Sequence, residues 1–303
     1  MYLLLILYFF VAATFTLAKY SLNYAKPLFF VGTRMILAGI LLLGWKFLGN
    51  RNSVKIKHGD LRLFLGVAVF HIFLAFVPEF WALQYLTSTK TNLIYTTTPF
   101  IAALLDYWLF REKITKHKLI GALVGITGLI PLFLSQTDPR ESMMSLLVFS
   151  FPELVLLTAV ISATYAWFLI KRLIQKGYSL ITINGFAMLV GGLMSLFSSF
   201  WLEGLREPPV FNLNGFLLMV LVMIIISNVI TYNFYAWLIK RYTITFVSFA
   251  GFLSPIFGAF LGWLFLNETF SWYYVMAFIF ILTGLIIFYK DEINRSKFCR
   301  MSN

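Results

Sequence analysis

Ten long runs of apolar residues dominate this 303-residue sequence, and short polar breaks separate them. The runs lie near 2–18, 27–48, 62–86, 89–110, 117–135, 151–171, 180–202, 213–238, 243–266 and 272–289. Most are long enough to cross a hydrocarbon core of about 30 Å as a helix rising about 1.5 Å per residue. Only 12% of the residues are charged, about half the share in an average soluble domain. The pattern predicts an all-α integral membrane protein with ten transmembrane helices.

The basic residues are divided unevenly between the two sides of this topology. When the loops are assigned alternately to the two sides, 18 of the 24 Lys and Arg residues fall on the side of both termini. Five fall on the other side, and Arg34 lies within a span. Because short loops rich in Lys and Arg stay in the cytoplasm, we expect cytoplasmic N and C termini in a multi-pass inner-membrane protein. The net charge of +12 is therefore an orientation signal, and we expect the lipid bilayer, not nucleic acid, as the partner.

Residues 81–130 occur a second time in the chain, shifted by 156 positions without a gap and with 11 identities in 50 positions. Pro99 matches Pro255, and Glu112 matches Glu268. Because the two copies are five spans apart, they cross the membrane in opposite directions. We expect two inverted five-helix repeats, at 2–136 and 151–290, followed by a cytoplasmic tail at 291–303. This architecture is typical of secondary transporters, which hold their substrate near the membrane midplane where the repeats meet.

Several other functional classes lack their signatures in this sequence. There is no Gly-x-x-x-x-Gly-Lys motif for ATP hydrolysis, no Cys/His metal spacing and no nucleophile elbow. A membrane enzyme would need clustered acid/base or metal-binding residues at one interface, and none is present. We therefore expect no enzymatic activity, no cofactor and no metal, with transport driven by a gradient or an exchange partner. The sequence leaves the oligomeric state open, a homodimer included.

Ionisable side chains within the spans are costly in hydrocarbon and therefore mark candidate substrate contacts. His71 and Glu79 lie eight residues apart on one helix face, and the repeat places Ser227 and Tyr235 at the equivalent positions. The predicted substrate-binding residues are Arg34, His71, Glu79, Tyr95, Thr96, Ser227, Asn228, Thr231, Tyr232 and Tyr235. Polar contacts between helices are the alternative explanation for such residues. Asp106, a fourth ionisable group, lies near a span end and could instead reach interfacial water.

Two pairs of residues carry further expectations. Arg34 and Glu79 each lie seven residues from the outer end of their spans, at a depth of about 10 Å. They either form an ion pair with each other or contact the substrate directly. Pro99 and Pro255 lack the N–H group that a helix requires, so each is expected to break its span and free a carbonyl for a cavity. A simple packing kink is the alternative at both prolines.

The order of these motifs along the chain resembles a known family. The pattern consists of Pro27, Arg34, Ala38, Trp81-Ala82-Leu83-Gln84-Tyr85, Pro99, Phe110-Arg111-Glu112, Gly121 and Gly128, then Tyr235-Ala236-Trp237, Pro255, Asn267-Glu268 and Gly284. It resembles the EamA-type fold of the drug/metabolite transporter superfamily over essentially the whole chain. Arg111 and Asn267 depart from the pattern, because Gly is common at both positions. The resemblance implies a ten-helix inner-membrane carrier that moves a small polar metabolite by alternating access.

The resemblance implies two classes of substrate. Members of this family export amino acids and other metabolites or, in some intracellular bacteria, take up S-adenosylmethionine in exchange for S-adenosylhomocysteine. Glu79 could hold a cationic sulfonium, while Phe76 and Tyr95 are among the aromatic residues that could stack on an adenine. Uptake of S-adenosylmethionine is therefore the leading candidate. Efflux of amino acids or other metabolites fits the same residues and stays the alternative.

Overall fold

The protein is represented by a computed structural model. It describes residues 2–49, 56–86, 88–110, 116, 119–121, 123–125, 127, 150–204, 207–266, 275–276, 278–284 and 286–287. Most of these residues are helical, and the described part contains no strand beyond one antiparallel bridge between Ala25 and Val210. The predicted all-α architecture is confirmed for the described residues.

The helices follow one another with short connections. They are α1 (Tyr2–Ser21), α2 (Pro27–Gly49), α3 (His58–Ala82), α4 (Ser88–Tyr95), α5 (Thr98–Phe110), α6 (Phe151–Gln175), α7 (Leu180–Leu202), α8 (Leu213–Leu238), α9 (Ile244–Phe249) and α10 (Ser254–Leu266). A 3₁₀ turn, Ala250–Leu253, connects α9 to α10. Further helical residues lie within 116–127 and 275–287.

Seven helical units in the described residues are long and apolar enough to cross a membrane, and each coincides with an expected span. The expected span at 89–110 is divided into α4 and α5 by a turn at Thr96 and Thr97, so neither helix reaches spanning length alone. The expected spans 117–135 and 272–289 lie largely outside the described residues, as do Glu112, Glu268 and the tail. The described helices are therefore those of a multi-pass membrane protein.

Large apolar side chains cover the outer surface of the bundle. The side chains of Trp45, Trp108 and Trp201 are 74%, 73% and 76% exposed, and Leu104 and Phe265 are also largely exposed. Contiguous apolar surface of this kind is rare on water-soluble proteins. In a membrane, the exposed Leu and Phe side chains would contact lipid acyl chains, and the tryptophans would lie at the membrane–water interface.

Glycines hold α2 and α7 in close contact. A Cβ atom added to Gly39 would lie 2.6 Å from the Leu189 backbone nitrogen, and one on Gly192 would lie 2.8 Å from the Ile36 nitrogen. The two backbones approach each other across positions where no side chain fits. Small residues permit this kind of packing between membrane helices, where van der Waals contact replaces the hydrophobic effect as the main source of attraction.

Helix boundaries recur at the same shift of 156 positions that relates the repeated sequences. The matched boundaries are the ends of α3 and α8 at Ala82 and Leu238, the starts of α4 and α9 at Ser88 and Ile244, and both ends of α5 and α10. The π-helical segments Ala68–Phe73 in α3 and Ile224–Thr231 in α8 also begin 156 positions apart. Such π turns are rare and often mark functional sites. The two halves therefore share irregular geometry as well as sequence.

Two polar clusters tie the first half of the chain to the second. At the start of α2, the Glu203 carboxylate accepts hydrogen bonds from the backbone N–H groups of Leu28 (2.6 Å) and Phe29 (3.0 Å), which would otherwise be unpaired at a helix N-terminus. At the start of α3, Asp60 accepts hydrogen bonds from Lys176 (2.5 Å) and the Tyr178 hydroxyl (2.8 Å). Burial raises the pKa of Tyr178 above its usual value, so its hydroxyl keeps the proton that it donates. Because α2 runs between these two starts, the clusters lie at opposite ends of the bundle.

Candidate functional site

A cavity lies inside the bundle, between α1, α3, α6 and α8. Its volume is about 120 Å³, several times the space of about 10–15 Å³ that one water requires. Eight of the ten predicted binding residues line it: Arg34, His71, Glu79, Tyr95, Ser227, Thr231, Tyr232 and Tyr235. The structure therefore places these side chains from α2, α3, α4 and α8 around one space.

Two predicted binding residues do not line the cavity. Asn228 is fully buried, and its side-chain nitrogen lies 3.0 Å from the sulfur of Met35 and 3.6 Å from that of Met188. It therefore contacts α2 and α7 behind the cavity wall. Thr96 is buried in the turn between α4 and α5 and is not among the lining residues. Asn228 was predicted because it extends the polar stripe of α8, and Thr96 because it lies beside the break at Pro99. The π turn and the turn after α4 direct these two side chains away from the cavity.

Glu79 presents a buried carboxylate to the cavity. The hydroxyl of Tyr95 donates a hydrogen bond to it over 2.5 Å, which joins α4 to α3. The Tyr95 ring packs against Phe15 of α1, with 4.7 Å between the ring centroids. The carboxylate therefore has a neutral hydrogen-bond donor, held in place by aromatic packing.

Arg34 lies fully buried on α2 and lines the same cavity. Its guanidinium carbon is 5.2 Å and 5.3 Å from the ring centroids of Phe76 and Phe80, within the range of cation–π attraction. One guanidinium nitrogen lies 3.3 Å from the Met223 sulfur, while the Nε and Nη2 atoms have no hydrogen-bond partner in the described part of the chain. Arg34 and Glu79 form no ion pair in this conformation, because each is held by neutral groups. The structure therefore does not contain the direct ion pair that was one of the two expectations for these residues.

His71 sits in the π-helical segment of α3 and is almost fully buried. Neither of its ring nitrogens has a hydrogen-bond partner among the described residues. The ring makes edge-to-face contacts with Trp167 and Tyr232, at centroid distances of 4.6 Å and 5.0 Å. His71 is thus a polar side chain whose hydrogen-bonding capacity is available in an aromatic corner of the cavity.

Aromatic rings stack on one another at one side of the cavity and form an aromatic wall there. Trp167 of α6 stacks on Tyr235 of α8, with 4.0 Å between centroids and 22° between planes. Tyr232 lies nearly parallel to the same indole at 6.1 Å and 25°. The Tyr235 hydroxyl is 3.1 Å from the Ser248 hydroxyl, which fixes the ring at the other end. Such a wall can stack on a planar ligand.

Both helix breaks lie beside the cavity. In the first half, the Thr98 hydroxyl donates a hydrogen bond of 2.6 Å to the Tyr95 carbonyl, which the following Pro99 leaves without a helical donor. In the second half, the Ser254 backbone N–H donates to the Gly251 carbonyl, directly before Pro255. Thr98, Gly251 and Ser254 all line the cavity. The breaks therefore bring satisfied but irregular backbone to the cavity wall.

Several lining residues were not predicted from the sequence. Trp167 and Thr164 come from α6, and Tyr8 comes from α1, where its hydroxyl donates to the Val247 carbonyl over 2.8 Å. Trp167 lies four residues before the end of the expected span 151–171, where interfacial tryptophans are usual, so its position did not single it out. Asp106, by contrast, accepts a hydrogen bond from the Thr245 hydroxyl and joins α5 to α9 outside the cavity lining.

Comparison with known proteins places the chain in a family. The profile of the EamA-like transporter family matches residues 1–134 and 150–290. The chain belongs to the EamA-like transporter family. It is therefore a membrane transporter, not an enzyme, in agreement with the sequence analysis.

Individual relatives cover most of the chain. The S-adenosylmethionine/S-adenosylhomocysteine transporter of Chlamydia muridarum is 34% identical over 285 residues, which cover 93% of this chain and 88% of the relative. The protein of the same name from Chlamydia trachomatis serovar D is also 34% identical, with 93% and 86% covered. Protein PecM of Dickeya dadantii is 26% identical over 86% of this chain and 82% of its own. A solved crystal structure with 17% identity has the same fold, with a TM-score of 0.72 and 94% of each chain covered.

Proposed function

We propose that this EamA-like transporter takes up S-adenosylmethionine across the inner membrane in exchange for S-adenosylhomocysteine. The observation that carries this proposal is its 34% identity, over 93% of the chain, to relatives described as transporters of these two compounds. Efflux of amino acids is the alternative that the experiment below also tests.

The chemistry of the cavity supports this choice of substrate. S-adenosylmethionine contains an adenine ring, a sulfonium cation and an amino-acid head group. The stacked rings of Trp167 and Tyr235 offer a flat aromatic surface to the adenine. The Glu79 carboxylate, which forms no ion pair with a described residue, offers attraction to positive charge. A small aliphatic amino acid would leave the aromatic wall unused.

We assign the substrate contacts to the predicted residues that line the cavity. These are Arg34, His71, Glu79, Tyr95, Ser227, Thr231, Tyr232 and Tyr235. Thr96 and Asn228 act indirectly in this assignment, by supporting the turn after α4 and the contact of α8 with α2. Trp167 is added to the set as the stacking surface.

The proposed architecture is a pair of inverted five-helix repeats, at 2–136 and 151–290, with cytoplasmic termini and a cytoplasmic tail at 291–303. The recurrence of helix ends and π turns at one shift of 156 positions supports the repeats. Alternating access would require the polar clusters at the two ends of the bundle to open in turn. Glu203 with the start of α2, and Asp60 with Lys176 and Tyr178, are the contacts that would separate.

Uptake of labelled S-adenosylmethionine by bacterial cells that express the protein tests this proposal. Saturable uptake above empty-vector cells is the expected result, and Glu79→Gln should abolish most of it. Glu207→Gln, which changes an exposed carboxylate outside the cavity, is the matched control and should transport normally. Absence of uptake by correctly inserted protein would contradict the proposal, and labelled amino acids would then be tested for efflux.

A further inference from the structure

We propose that Arg34 and Glu79 bind the two ends of the substrate's amino-acid head group. The carboxylate of the head group would lie against the Arg34 guanidinium, and its ammonium against the Glu79 carboxylate. This assignment rests on the proposed function, because S-adenosylmethionine and S-adenosylhomocysteine carry the same head group. It goes further by stating which atoms each charged residue recognises.

The environment of Arg34 favours binding of an anion. The side chain is fully buried and lines the cavity, yet its Nε and Nη2 atoms have no hydrogen-bond partner among the residues that the structure describes. The rings of Phe76 and Phe80 attract the cation but do not neutralise it. The planar guanidinium presents its N–H groups as a fork that matches a carboxylate with two parallel hydrogen bonds. A bound carboxylate would therefore satisfy guanidinium donors that the described residues leave unpaired.

Glu79 is the complementary charge in the same cavity. Its carboxylate is 5% exposed and accepts a hydrogen bond from Tyr95, but no cation of the described residues pairs with it. Phe76, which precedes Glu79 by three residues and so shares its helix face, lies 5.2 Å from the Arg34 guanidinium carbon, and both charged residues line the one cavity. Two opposite charges that do not pair with each other are complementary to a zwitterion.

Recognition of the head group also explains how one cavity could serve both compounds. The sulfur of S-adenosylmethionine carries a positive charge, whereas that of S-adenosylhomocysteine is neutral. A site in which Glu79 chiefly recognised the sulfonium would hold the second compound poorly. The head group is common to both, and so is the adenosine, which the Trp167–Tyr235 wall would stack upon.

Competition against uptake of labelled S-adenosylmethionine tests the assignment in the unaltered protein. Decarboxylated S-adenosylmethionine keeps the sulfonium and the amine but lacks the carboxylate, so we expect it to compete about tenfold to a hundredfold less well. S-adenosylhomocysteine, which keeps the whole head group, should compete within about threefold of the unlabelled substrate, since that difference corresponds to less than one ordinary hydrogen bond.

Variants then test which residue recognises the carboxylate of the head group. Arg34→Met should reduce the discrimination between the two sulfonium compounds to about onefold to twofold, because the charged hydrogen bonds that distinguish them are gone. Arg241→Met is the matched control. It removes an exposed guanidinium that lies 4.1 Å from the Trp237 ring centroid, outside the cavity, and should keep the discrimination. In the small uptake that remains in Glu79→Gln, both compounds should compete less well, and the ratio between their competition should be preserved.

The outcomes separate this inference from the proposed function. Normal uptake with equal competition by the decarboxylated compound would overturn the head-group assignment and leave the transport proposal standing. Complete absence of uptake by inserted protein would overturn both. If Arg34→Met fails to insert, competition in the unaltered protein decides the assignment without it.

Discussion

The Tyr95 hydroxyl donates a hydrogen bond to the Glu79 carboxylate over 2.5 Å, and this contact joins the helix that ends at the first break to the helix that carries the acid. Tyr95 orients the carboxylate without cancelling its charge, since a phenol is neutral at physiological pH. The substrate and the helix break are thereby connected through one side chain. A change at the break would move the group that holds Glu79.

Loss of this hydroxyl should weaken substrate binding. We expect Tyr95→Phe to raise the KM for S-adenosylmethionine about fivefold to tenfold, because a hydrogen bond to a charged group contributes about 1.5–3 kcal/mol and part is recovered by water. Initial uptake rates over a range of substrate concentrations measure this. Tyr85→Phe, at a tyrosine that is 62% exposed, is the control. An unchanged KM in Tyr95→Phe would show that the orientation of Glu79 does not limit binding.

The aromatic wall should contribute to recognition of the adenine. We expect Trp167→Ala to weaken competition by S-adenosylhomocysteine by about fivefold to a hundredfold, since stacking of a base on an aromatic ring contributes about 1–3 kcal/mol. Trp201→Ala, at a tryptophan that is 76% exposed on the outer surface, should have little effect. Equal behaviour of the two variants in the competition assay would exclude the wall as the adenine site.

Close packing of α2 on α7 should be sensitive to a single methyl group. In Gly39→Ala the new Cβ would lie 2.6 Å from a backbone nitrogen of α7, so the helices must separate. Overpacking of this kind costs about 1–3 kcal/mol. Gly44→Ala is the matched control on the same helix, because a Cβ there meets nothing within 4 Å. Thermal unfolding in detergent should show a lower Tm for Gly39→Ala alone, and equal Tm values would contradict this packing.

Membrane orientation can be tested with single cysteines. The chain has one cysteine, Cys299, so Cys299→Ser provides a cysteine-free background. With cytoplasmic termini, a cysteine at Glu207 should react with a membrane-impermeant maleimide added to intact cells, and one at His58 should react only after lysis. Both residues are exposed. The reverse pattern of labelling would invert the proposed orientation.

Eight of the residues that line the cavity could be predicted from the sequence, because ionisable and polar groups within apolar spans stand out and helical spacing assigns them to one face. The repeat added the equivalent face of α8. Asn228 shows the limit of this reasoning, since it lies next to Ser227 in the sequence but contacts the sulfur atoms of Met35 and Met188. Within the π turn, ordinary α-helical spacing does not fix the direction of each side chain.

The distance between Arg34 and Glu79 across the bundle also could not be predicted from the sequence. Arg34 and Glu79 were expected at the same depth, but depth does not give the separation of two helices across the bundle. The rings of Phe76 and Phe80 hold the guanidinium in place of the carboxylate. Trp167 was missed because α6 presents no ionisable residue to the cavity, and the hydroxyl of Thr164 is too weak a signal to mark the face that lines it.

Exchange of the two compounds in proteoliposomes tests the central claim most directly. Vesicles that contain the purified protein are loaded with unlabelled S-adenosylhomocysteine or with buffer, and entry of labelled S-adenosylmethionine is followed. Faster entry into the loaded vesicles, with the loss of one internal molecule for each one gained, is the result expected of an exchanger. Equal entry into loaded and empty vesicles, or no entry into either, would contradict exchange.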